Sequence, residues 1–543
     1  GSSEPRLNIE GGLTNIMANN IEWNSDFMFN AKKDISDKIS TALSFGGNHR
    51  YTKYKTLTQK GTVLNAPGLY HISNANNYST GLGFSEKAVN SLISLGSFTY
   101  NQLLYFDVSL RNDWSSTLPK GNNSYFYHSE NLSFLFTEAL GIKSSLLSGG
   151  RLRGSFGKVG NDTGAYRTNQ YYGFQQSNYP YPLGTIGNLA TSDLQPEITS
   201  SWELGTNLLF FNNRVELDLT YYDSRTKNQI MAVKIPNTSG YSSKVVNAGE
   251  IMNTGIEFLL NSSVIQNENG FNWDVSVNAA KNYSEVVALH ENLDKIRLAG
   301  LFGMASIEAR PKEPFGTIYS NVYLRDEFGD IYVDDKGNAM KGGIERVGNI
   351  NPDLAGGVNN TLNYKNINLS FLIDFQLGGD FISASKYYQY TFGTHVETLP
   401  GREEWYTTHN PDGSPIEGVM PDGPKVDGIN YNTGEPNEVP LLPATYYTNP
   451  YSLNVGEEWI LDATTVRMRE VVLTYNFPTK LMNKTPLRSA NISLVGRNLF
   501  FFYRANNYAD PESGFTSGSV GTGIEHSPLP STRSVGIQLK VNF

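Results

Sequence analysis

Apolar and polar residues alternate one by one along many segments of this chain. Between Val215 and Tyr221 every second side chain is apolar, and Glu216 and Asp218 fall between them. The segment Ile367–Leu377 repeats the pattern over a longer stretch. Successive side chains of a β-strand point to opposite faces, so this period of two predicts strands with one apolar and one polar face. The alternation changes phase near Glu470, which predicts a β-bulge there.

The connections between the predicted strands also alternate, in length. Short turns are predicted at Lys32–Asp37, Asn101–Gln102, Phe211–Arg214, Asn267–Gly270 and Tyr364–Asn366. Long polar loops are predicted at Arg50–Asn90, Gly160–Ser200, Ser224–Glu250, Tyr283–Gly356, Gly379–Ala463 and Arg504–Ser531. Transmembrane β-barrels have short periplasmic turns and long extracellular loops, whereas a soluble sandwich has no reason to sort its connections in this way.

The composition agrees with a membrane barrel and excludes several other classes. Mean hydropathy is −0.37 and only 17% of the residues are charged. We find no run of the ~20 apolar residues that a transmembrane helix requires. A formal net charge of −9 argues against nucleic acid as the main partner. The chain has no cysteine, which excludes disulfide scaffolds and thiol catalysis.

We therefore predict an all-β fold, a transmembrane antiparallel β-barrel with about fifteen strands of ~10 residues each. Residues 1–543 are expected to form one barrel region with long extracellular loops. A plugged importer has ~22 strands, so the plug domain and the remaining strands are expected outside this chain. The alternation Val535–Phe543, which ends on an aromatic residue, is typical of a last barrel strand. If Phe543 lies at the periplasmic face, the odd strand count predicts that the first strand, near Ile21–Ala31, descends from outside.

Six segments together carry a resemblance to a known family. They are Arg111–Pro119 with Ser124–Tyr127, then Gly157–Asp162, Leu194–Gly205, Asn247–Glu257, Gly348–Asp353 and Pro530–Lys540. In content and order they resemble the C-terminal barrel of SusC/RagA-type TonB-dependent transporters of the Gram-negative outer membrane. The resemblance covers the chain from about residue 100 to its end.

The resemblance implies both a function and partners. Members import an oligomeric nutrient, here expected to be an oligosaccharide, with an oligopeptide as the alternative cargo. They act with a SusD-like surface lipoprotein that covers the barrel, and TonB supplies energy through a segment near the N-terminus. The expected partners are therefore that lipoprotein, the N-terminal plug-containing portion of the same transporter, TonB and outer-membrane lipid, and two such units are expected to pair. No cofactor is expected.

Aromatic residues in the long loops are the candidate ligand contacts, because sugar C–H groups pack on flat rings while hydroxyls pair with neighbouring amides. The candidates are Tyr171, Tyr172, Phe174, Tyr387, Tyr388, Trp405 and Tyr446. The same rings can instead belong to interfacial girdles or to the packed cores of large loops.

Charged residues offer weaker candidates. Asp326, Asp330 and Asp334 crowd oxygen ligands around turn glycines, as a calcium loop does, but they do not follow EF-hand spacing and also suit ordinary hairpin turns. Arg467 and Arg469 either set ionic selectivity or form structural pairs. We find no catalytic constellation and predict no enzyme. A surface adhesin that never enters a membrane and a secreted β-rich hydrolase are the alternatives from other classes.

Overall fold

The computed structural model describes residues 11–174, 183–185, 187–268, 270–290, 293–301, 303–483, 485–514 and 523–543. Fifteen strands follow one another in a single antiparallel ladder. They are β1 (Gly12–Ser36), β2 (Ile39–Leu64), β3 (Ala75–Tyr100), β4 (Leu104–Ser115), β5 (Ser124–Phe134), β6 (Leu147–Asn161), β7 (Glu197–Phe210), β8 (Val215–Lys227), β9 (Gly249–Ile265), β10 (Phe271–Leu289), β11 (Leu354–Tyr364), β12 (Ile367–Leu377), β13 (Thr465–Asn476), β14 (Ser489–Arg504) and β15 (Ser534–Asn542). Each strand neighbours the next one in sequence, as the alternation predicted.

The remaining elements are short and lie in the long connections. The helices are α1 (Phe136–Ala139), α2 (Ala384–Thr391), α3 (Arg402–Thr408), α4 (Pro443–Leu453) and α5 (Thr479–Met482), with 3-10 turns at Ile72–Asn74, Asn237–Ser239, Val396–Thr398 and Glu457–Trp459. Small sheets are built from Tyr172–Phe174 with Leu183–Thr185; Asn188–Leu189, Ile230–Lys234 and Ser243–Asn247; Ile296–Leu301, Ala305–Ala309, Thr317–Tyr323 and Lys341–Asn349; Ile331–Val333 with Gly428–Asn430; and Asp380–Ser383, Ile460–Asp462 and Ile524–Glu525. Glu313–Pro314 adds a short pairing to β10. Within the described residues, no helix combines the length and apolar character needed to cross a membrane.

The chain divides into two compact units. The first contains Gly1–Phe136, Arg153–Glu203 and Ser224–Glu250, and the second contains Thr137–Leu152, Leu204–Asp223 and Ile251–Phe543. In the first unit, β1 to β5 pair in order. In the second, β10 to β15 pair in order.

The two faces of the ladder differ in the way the alternation predicted. In the second unit, Leu362, Leu369 and Leu473 form one row across β11, β12 and β13. On the other face of β12, Asn368 donates to the Oδ1 of Asn363 at 2.6 Å. Backbone groups in a bilayer have no water to bond, and a ladder satisfies them while presenting apolar side chains to lipid.

The predicted bulge is confirmed one residue from its expected place. The pairing of β12 with β13 skips from Leu372–Glu470 to Ile373–Met468, so Arg469 is the extra residue. The same shift appears in the pairing of β13 with β14. A bulge re-aims the side chains beyond it, which brings Arg467 and Arg469 to the same acidic neighbours.

One predicted loop is wrong. The segment Arg50–Asn90 is not a long loop, because β2 and β3 pair continuously from Ile39–Tyr100 to Leu64–Ala75. In the distal part, Tyr51–Thr58, apolar and polar residues do not alternate to give an apolar face. The segment is nevertheless rich in Tyr and Thr, which favour strands. A strand with polar side chains on both faces escapes a search based on alternation. At ~3.3 Å per residue, 26 residues reach about 85 Å, well beyond the ~30 Å apolar layer of a bilayer.

Where the structure describes them, the other long connections lie close to their predicted places, and those of the second unit contain their own apolar cores. In the second unit, one core is formed by Leu301, Ala305, Ile307, Ile318, Ile350, Ile382, Ala384 and Ile524. Another contains Tyr323, Val333, Ala339, Val426, Leu441 and Val455. These segments therefore fold as a globular protein does, with apolar side chains inside.

Candidate functional site

Helix α2 positions the first aromatic residues of the candidate site. It begins after Ser383, whose Oγ accepts a hydrogen bond from the backbone N–H of Lys386 at 3.1 Å. Such a cap fixes the first turn of the helix. Tyr387 and Tyr390 are three residues apart and so lie on one side of it, towards Trp459.

Trp459 is the centre of this aromatic cluster. It is 1% exposed, and its indole N–H donates to the carbonyl oxygen of Val455 at 3.1 Å. The rings of Tyr387 and Tyr390 meet it edge-on, with centroids at 5.5 Å and 6.0 Å. Edge-to-face contact is the favoured geometry for aromatic rings, so these positions are well defined.

Helix α4 supplies further aromatic residues of the candidate site. Leu442 precedes Pro443 at the first helical position, and Asn454 ends the helix in the left-handed conformation at φ 57°. Tyr446 and Tyr447 lie edge-on to each other at 4.9 Å. The helix therefore places two rings, together with Asn449, on the side that faces Trp459.

A cavity of about 520 Å³ lies between these elements, and we call it the aromatic pocket. It is lined by Tyr323, Ile331, Ala339, Tyr390, Glu397, Pro400, Val426, Asp427, Tyr446, Tyr447, Asn449, Pro450, Glu458 and Trp459. Pockets that hold small ligands in proteins typically measure about 300–1,000 Å³ and combine many apolar groups with a few polar ones. The aromatic pocket has both properties.

Two tyrosine hydroxyls hold one of its carboxylates. Tyr390 and Tyr508 both donate a hydrogen bond to Oε2 of Glu397. These hydrogen bonds, first of all the one from Tyr390, lower the pKa of Glu397. Burial and the same carboxylate raise the pKa of Tyr508 to about 12. Glu397 is therefore ionised and Tyr508 is protonated at neutral pH.

The other acidic residues of the pocket act on Tyr446 and Lys386. Burial raises the pKa of Tyr446, and the charges of Glu458 and Asp427 add to the shift. Burial lowers the pKa of Lys386, against the opposing charges of Glu458 and Glu397. The Lys386 ammonium donates to the backbone carbonyl of Glu458 at 2.7 Å.

A second cavity, of about 550 Å³, lies in the first unit. It is lined by Ala165, Tyr166, Arg167, Asn169, Tyr171, Asn188, Leu189, Ala190 and Val245. The rings of Tyr166 and Tyr171 meet edge-on at 6.1 Å. This cavity has one aromatic pair and one cation, Arg167, so its chemistry differs from that of the aromatic pocket.

The polar face of β4 to β6 carries the segment that begins at Arg111. The Nε of Arg111 donates to Oδ1 of Asp113 at 2.7 Å, and the hydroxyl of Tyr127 donates to the other oxygen at 2.8 Å. Asp113 is buried, so both donors compensate its charge. Arg111 and Asp113 are two residues apart and so lie on the same face of β4, where they form one network with Tyr127.

Comparison with known proteins decides the family. Residues 6–410 match the family model described as TonB dependent receptor-like, beta-barrel. The chain belongs to this family. It is thus an outer-membrane β-barrel of the TonB-dependent receptor family, as predicted for fold class, family and location.

Individual relatives extend the match over the whole chain. TonB-dependent receptor P26 of Formosa agariphila is 24% identical over 98% of this chain and 54% of its own length. Receptor P3 of the same organism is 24% identical over 84% of this chain and 46% of its own. TonB-dependent receptor SusC of Bacteroides thetaiotaomicron is 26% identical over 54% of this chain and 32% of its own. The chain therefore spans about half the length of the first two relatives.

A solved structure of the RagAB peptide transporter superposes with a TM-score of 0.76 at 18% identity. The match covers 97% of this chain and 56% of the other. At this identity the likeness concerns the fold, and it confirms the receptor barrel.

The receptor fold brings three of the predicted contact residues into one neighbourhood. Tyr446 lines the aromatic pocket, and Tyr387 and Tyr388 lie in the cluster behind it. Trp405 does not line the pocket: its ring stacks on His409 at 3.6 Å and is buried. Ligand contact by any of them stays a prediction.

The predicted residues near position 171 lie in the first unit. Tyr171 lines the second cavity, and Tyr172 and Phe174 belong to a two-stranded sheet. Tyr446 belongs to the second unit.

Sequence reasoning missed most of the pocket's polar residues. Glu397, Asp427, Asn449 and Glu458 line it with Trp459. Asn449 stands two residues after Tyr447, and the dense aromatic run Tyr446–Tyr447 was the one signal near it. In the sequence, these acidic residues cannot be distinguished from solvent-exposed charges of an ordinary loop.

Two of the three candidate calcium residues, Asp326 and Asp334, each serve their own turn. Oδ1 of Asp326 accepts from the backbone N–H groups of Phe328 and Asp330, both at 2.9 Å. Oδ1 of Asp334 accepts from those of Lys336 and Asn338, also at 2.9 Å. Among the described residues, no group of three or more His, Cys, Asp or Glu side chains is arranged to hold a metal.

Arg467 and Arg469 lie in a network of ion pairs within the second unit. Both face Asp374 and Glu512, and Nη1 of Arg467 also lies 3.3 Å from Oδ2 of Asp510. Arg467 is 3% exposed, so its charge requires these partners. The network joins β13 to the loop after β14, which favours the structural interpretation.

Proposed function

We propose that this receptor barrel imports an oligomeric nutrient, an oligosaccharide, across the outer membrane. The family match over residues 6–410 carries the proposal, because it is a match to TonB-dependent receptors. TonB supplies the energy, and a SusD-like surface lipoprotein captures cargo at the outer mouth. Two such units pair in the same assembly.

The plug and the segment that contacts TonB belong, in this proposal, to an N-terminal portion of the same transporter. The relatives P3 and P26 are about twice as long as the part that this chain matches, which supports a second portion. A wide barrel without a plug would be a permanent aqueous channel. Import against a gradient therefore requires that portion.

The aromatic pocket supports a glycan cargo. Tyr390, Tyr446, Tyr447 and Trp459 offer ring faces and edges to sugar C–H groups. The carboxylates and the Asn449 amide offer acceptors and donors for hydroxyls. A transport site needs several moderate contacts rather than one tight grip, because the cargo must also leave.

An oligopeptide is the second candidate cargo, and one observation favours it. The lining of the aromatic pocket has three carboxylates and no Lys, Arg or His, which suits a peptide's ammonium group. The structural similarity to the RagAB peptide transporter supports this second candidate.

The test is native mass spectrometry of the assembly, extracted gently in detergent from the outer membrane, followed by mass analysis of each subunit. We expect this chain together with a plug-bearing portion and a lipidated partner, and with released oligosaccharide. Energy-dependent uptake of that oligosaccharide by intact cells should disappear when the gene is deleted. A chain that is recovered alone, without detergent, and whose deletion leaves uptake unchanged would contradict the proposal.

A further inference from the structure

The lining of the aromatic pocket carries more negative than positive charge. Glu397, Asp427 and Glu458 line it, and no basic residue among the described ones does. Within the described residues, the carboxylates of Glu458 and Asp427 accept no hydrogen bond and form no salt bridge. Lys386 is the nearest cation on α2, but it donates to the backbone oxygen of Glu458 and not to its carboxylate.

The other cations around the pocket already have partners. Arg325 pairs with Glu457 at 2.9 Å, and Lys425 pairs with Glu438 at 3.0 Å. The Lys386 ammonium lies 5.5 Å from the ring centre of Tyr390, outside the group of residues that line the cavity. With three acidic residues in the lining and Lys386 behind it, the lining itself is negatively charged.

A second, independent observation points into the same cavity. Asn449 lines the pocket on α4 and is only 7% exposed, yet its Oδ1 has no hydrogen-bond partner. Leaving a buried amide oxygen unsatisfied is costly, so a protein retains one where something else uses it. A ligand N–H group would satisfy it.

The rings add a third element of recognition. Tyr446 and Tyr447 on α4 line the cavity together with Tyr390 and Trp459. Aromatic faces attract cations through their quadrupole, most strongly where water is excluded. Carboxylates, an amide oxygen and ring faces around one cavity are the combination that selects an organic cation over a neutral group of the same shape.

We propose that the aromatic pocket is a subsite for an ammonium-bearing unit of the cargo, contacted by Glu458, Asp427 and Asn449. The inference rests on the proposed import function and narrows its cargo to one that carries amino groups. Both an unacetylated amino sugar and a lysine side chain present this chemistry, and the experiment separates the two.

The experiment uses the detergent-extracted receptor assembly and measures binding by calorimetry and by intrinsic tryptophan fluorescence. One pair of probes is the glucosamine trimer against its N-acetylated form, which has the same sugar backbone without charge. A second pair is Ala-Lys-Ala with blocked ends against blocked Ala-Gln-Ala. We expect the glucosamine trimer to bind about tenfold more tightly than its acetylated form, and the difference to shrink at high salt.

Variants locate the effect. Glu458→Gln should weaken the charged probe about tenfold and leave the neutral one unchanged, since it removes one carboxylate charge near the cation. Asp427→Asn, at an exposed position, repeats the test without risk to folding. Asn449→Leu should weaken the charged probe while the receptor unfolds at the same or a higher temperature. Glu417→Gln is the control, because it removes the same charge at an exposed position outside the pocket.

Each outcome decides one claim. Equal binding of charged and neutral probes, or no effect of Glu458→Gln and Asp427→Asn, would overturn the subsite while leaving import of a neutral oligosaccharide in place. Charge-dependent binding of the lysine peptide alone would support the subsite and overturn the oligosaccharide as cargo. Charge-dependent binding of the glucosamine trimer supports both.

Discussion

Two regions of the second unit obey opposite rules for apolar side chains. On the ladder, Val535, Ile537 and Leu539 of β15 are 63–76% exposed, although they alternate regularly with polar residues. In the loop region, Ile307 and Ile318 are fully buried. The ladder is built for a lipid solvent and the loops for water, so one chain follows two patterns.

The comparison explains why the candidate site lies in the loops. A strand ladder places its polar side chains at a fixed spacing on one face, which suits networks such as Arg111 with Asp113. A cavity with convergent groups needs helices and turns that can close around it. The helices α2 and α4 supply such convergent groups to the aromatic pocket.

The largest expected effect tests the buried loop core. Phe381→Ala should lower the local free energy of unfolding of the loop region by about 3–5 kcal/mol, because Phe381 is 1% exposed and its removal leaves a cavity. Limited proteolysis of the folded receptor measures it as faster cleavage in the loops. Phe328→Ala is the matched control, since Phe328 is 82% exposed. Equal cleavage of both variants would mean that the loops have no such core.

The next effect tests the lipid-facing side of the ladder. Phe371→Arg on β12 should lower the stability of the folded barrel in lipid by about 2–4 kcal/mol, because it puts a charge into the hydrocarbon layer. Urea titration of the protein folded in vesicles measures this loss. Ser370→Arg, one residue away on the polar face, should cost much less. A larger loss for Ser370→Arg would invert the assignment of the faces.

A smaller effect tests whether the loop carboxylates serve their own turns. Asp334→Ala removes the acceptor of two backbone N–H groups and should cost about 1 kcal/mol. Thermal unfolding of the receptor in detergent measures it as a lower Tm. Added calcium should leave the Tm of the unsubstituted protein unchanged. A calcium-dependent rise that Asp334→Ala abolishes would revive the metal site.

The smallest effect concerns pH. Hydrogen bonds from the hydroxyls of Tyr390 and Tyr508 lower the folded-state pKa of Glu397, and coulombic interactions with His395 and Lys386 add smaller contributions. Its stabilisation is therefore complete above the ordinary carboxyl pKa and is lost as the pH falls through the lowered value. Because the side chain is 55% exposed, Glu397→Gln should cost less than about 1 kcal/mol at neutral pH. Unfolding of the two proteins at pH 7 and pH 3 should converge at the lower pH. A gap that widens at pH 3 would contradict this sign.

Much of the ladder was predictable from the sequence because its solvent imposes a simple pattern. The turn Phe211–Arg214 and the loop Gly379–Ala463 fall within about two residues of the observed strand ends. The segment Arg50–Asn90 failed because its strands leave the bilayer and lose the apolar face. Alternation of apolar and polar residues indicates a strand that contacts lipid. Strands that pair in water need no apolar face, so they lack this pattern.

The candidate site was less predictable for a physical reason. Tyr390, Asn449 and Trp459 converge through the packing of α2, α4 and the turn at Glu457–Trp459, and no fixed spacing in the sequence encodes that. Aromatic enrichment pointed to the right segments, including Tyr446. It did not separate Trp405, whose ring is used for packing on His409.

The most direct test of the central claim uses the absence of cysteine from the chain, which allows single cysteines to be placed along β12. Cysteines at Leu369, Phe371 and Ile373 should react with a lipid-soluble maleimide in vesicles and resist a charged one. Those at Asn368, Ser370 and Asp374 should show the reverse preference. This alternation at period two would establish a strand with one lipid face and one aqueous face. Uniform reaction with the charged reagent at all six positions would show that the ladder stands in water and would contradict the account.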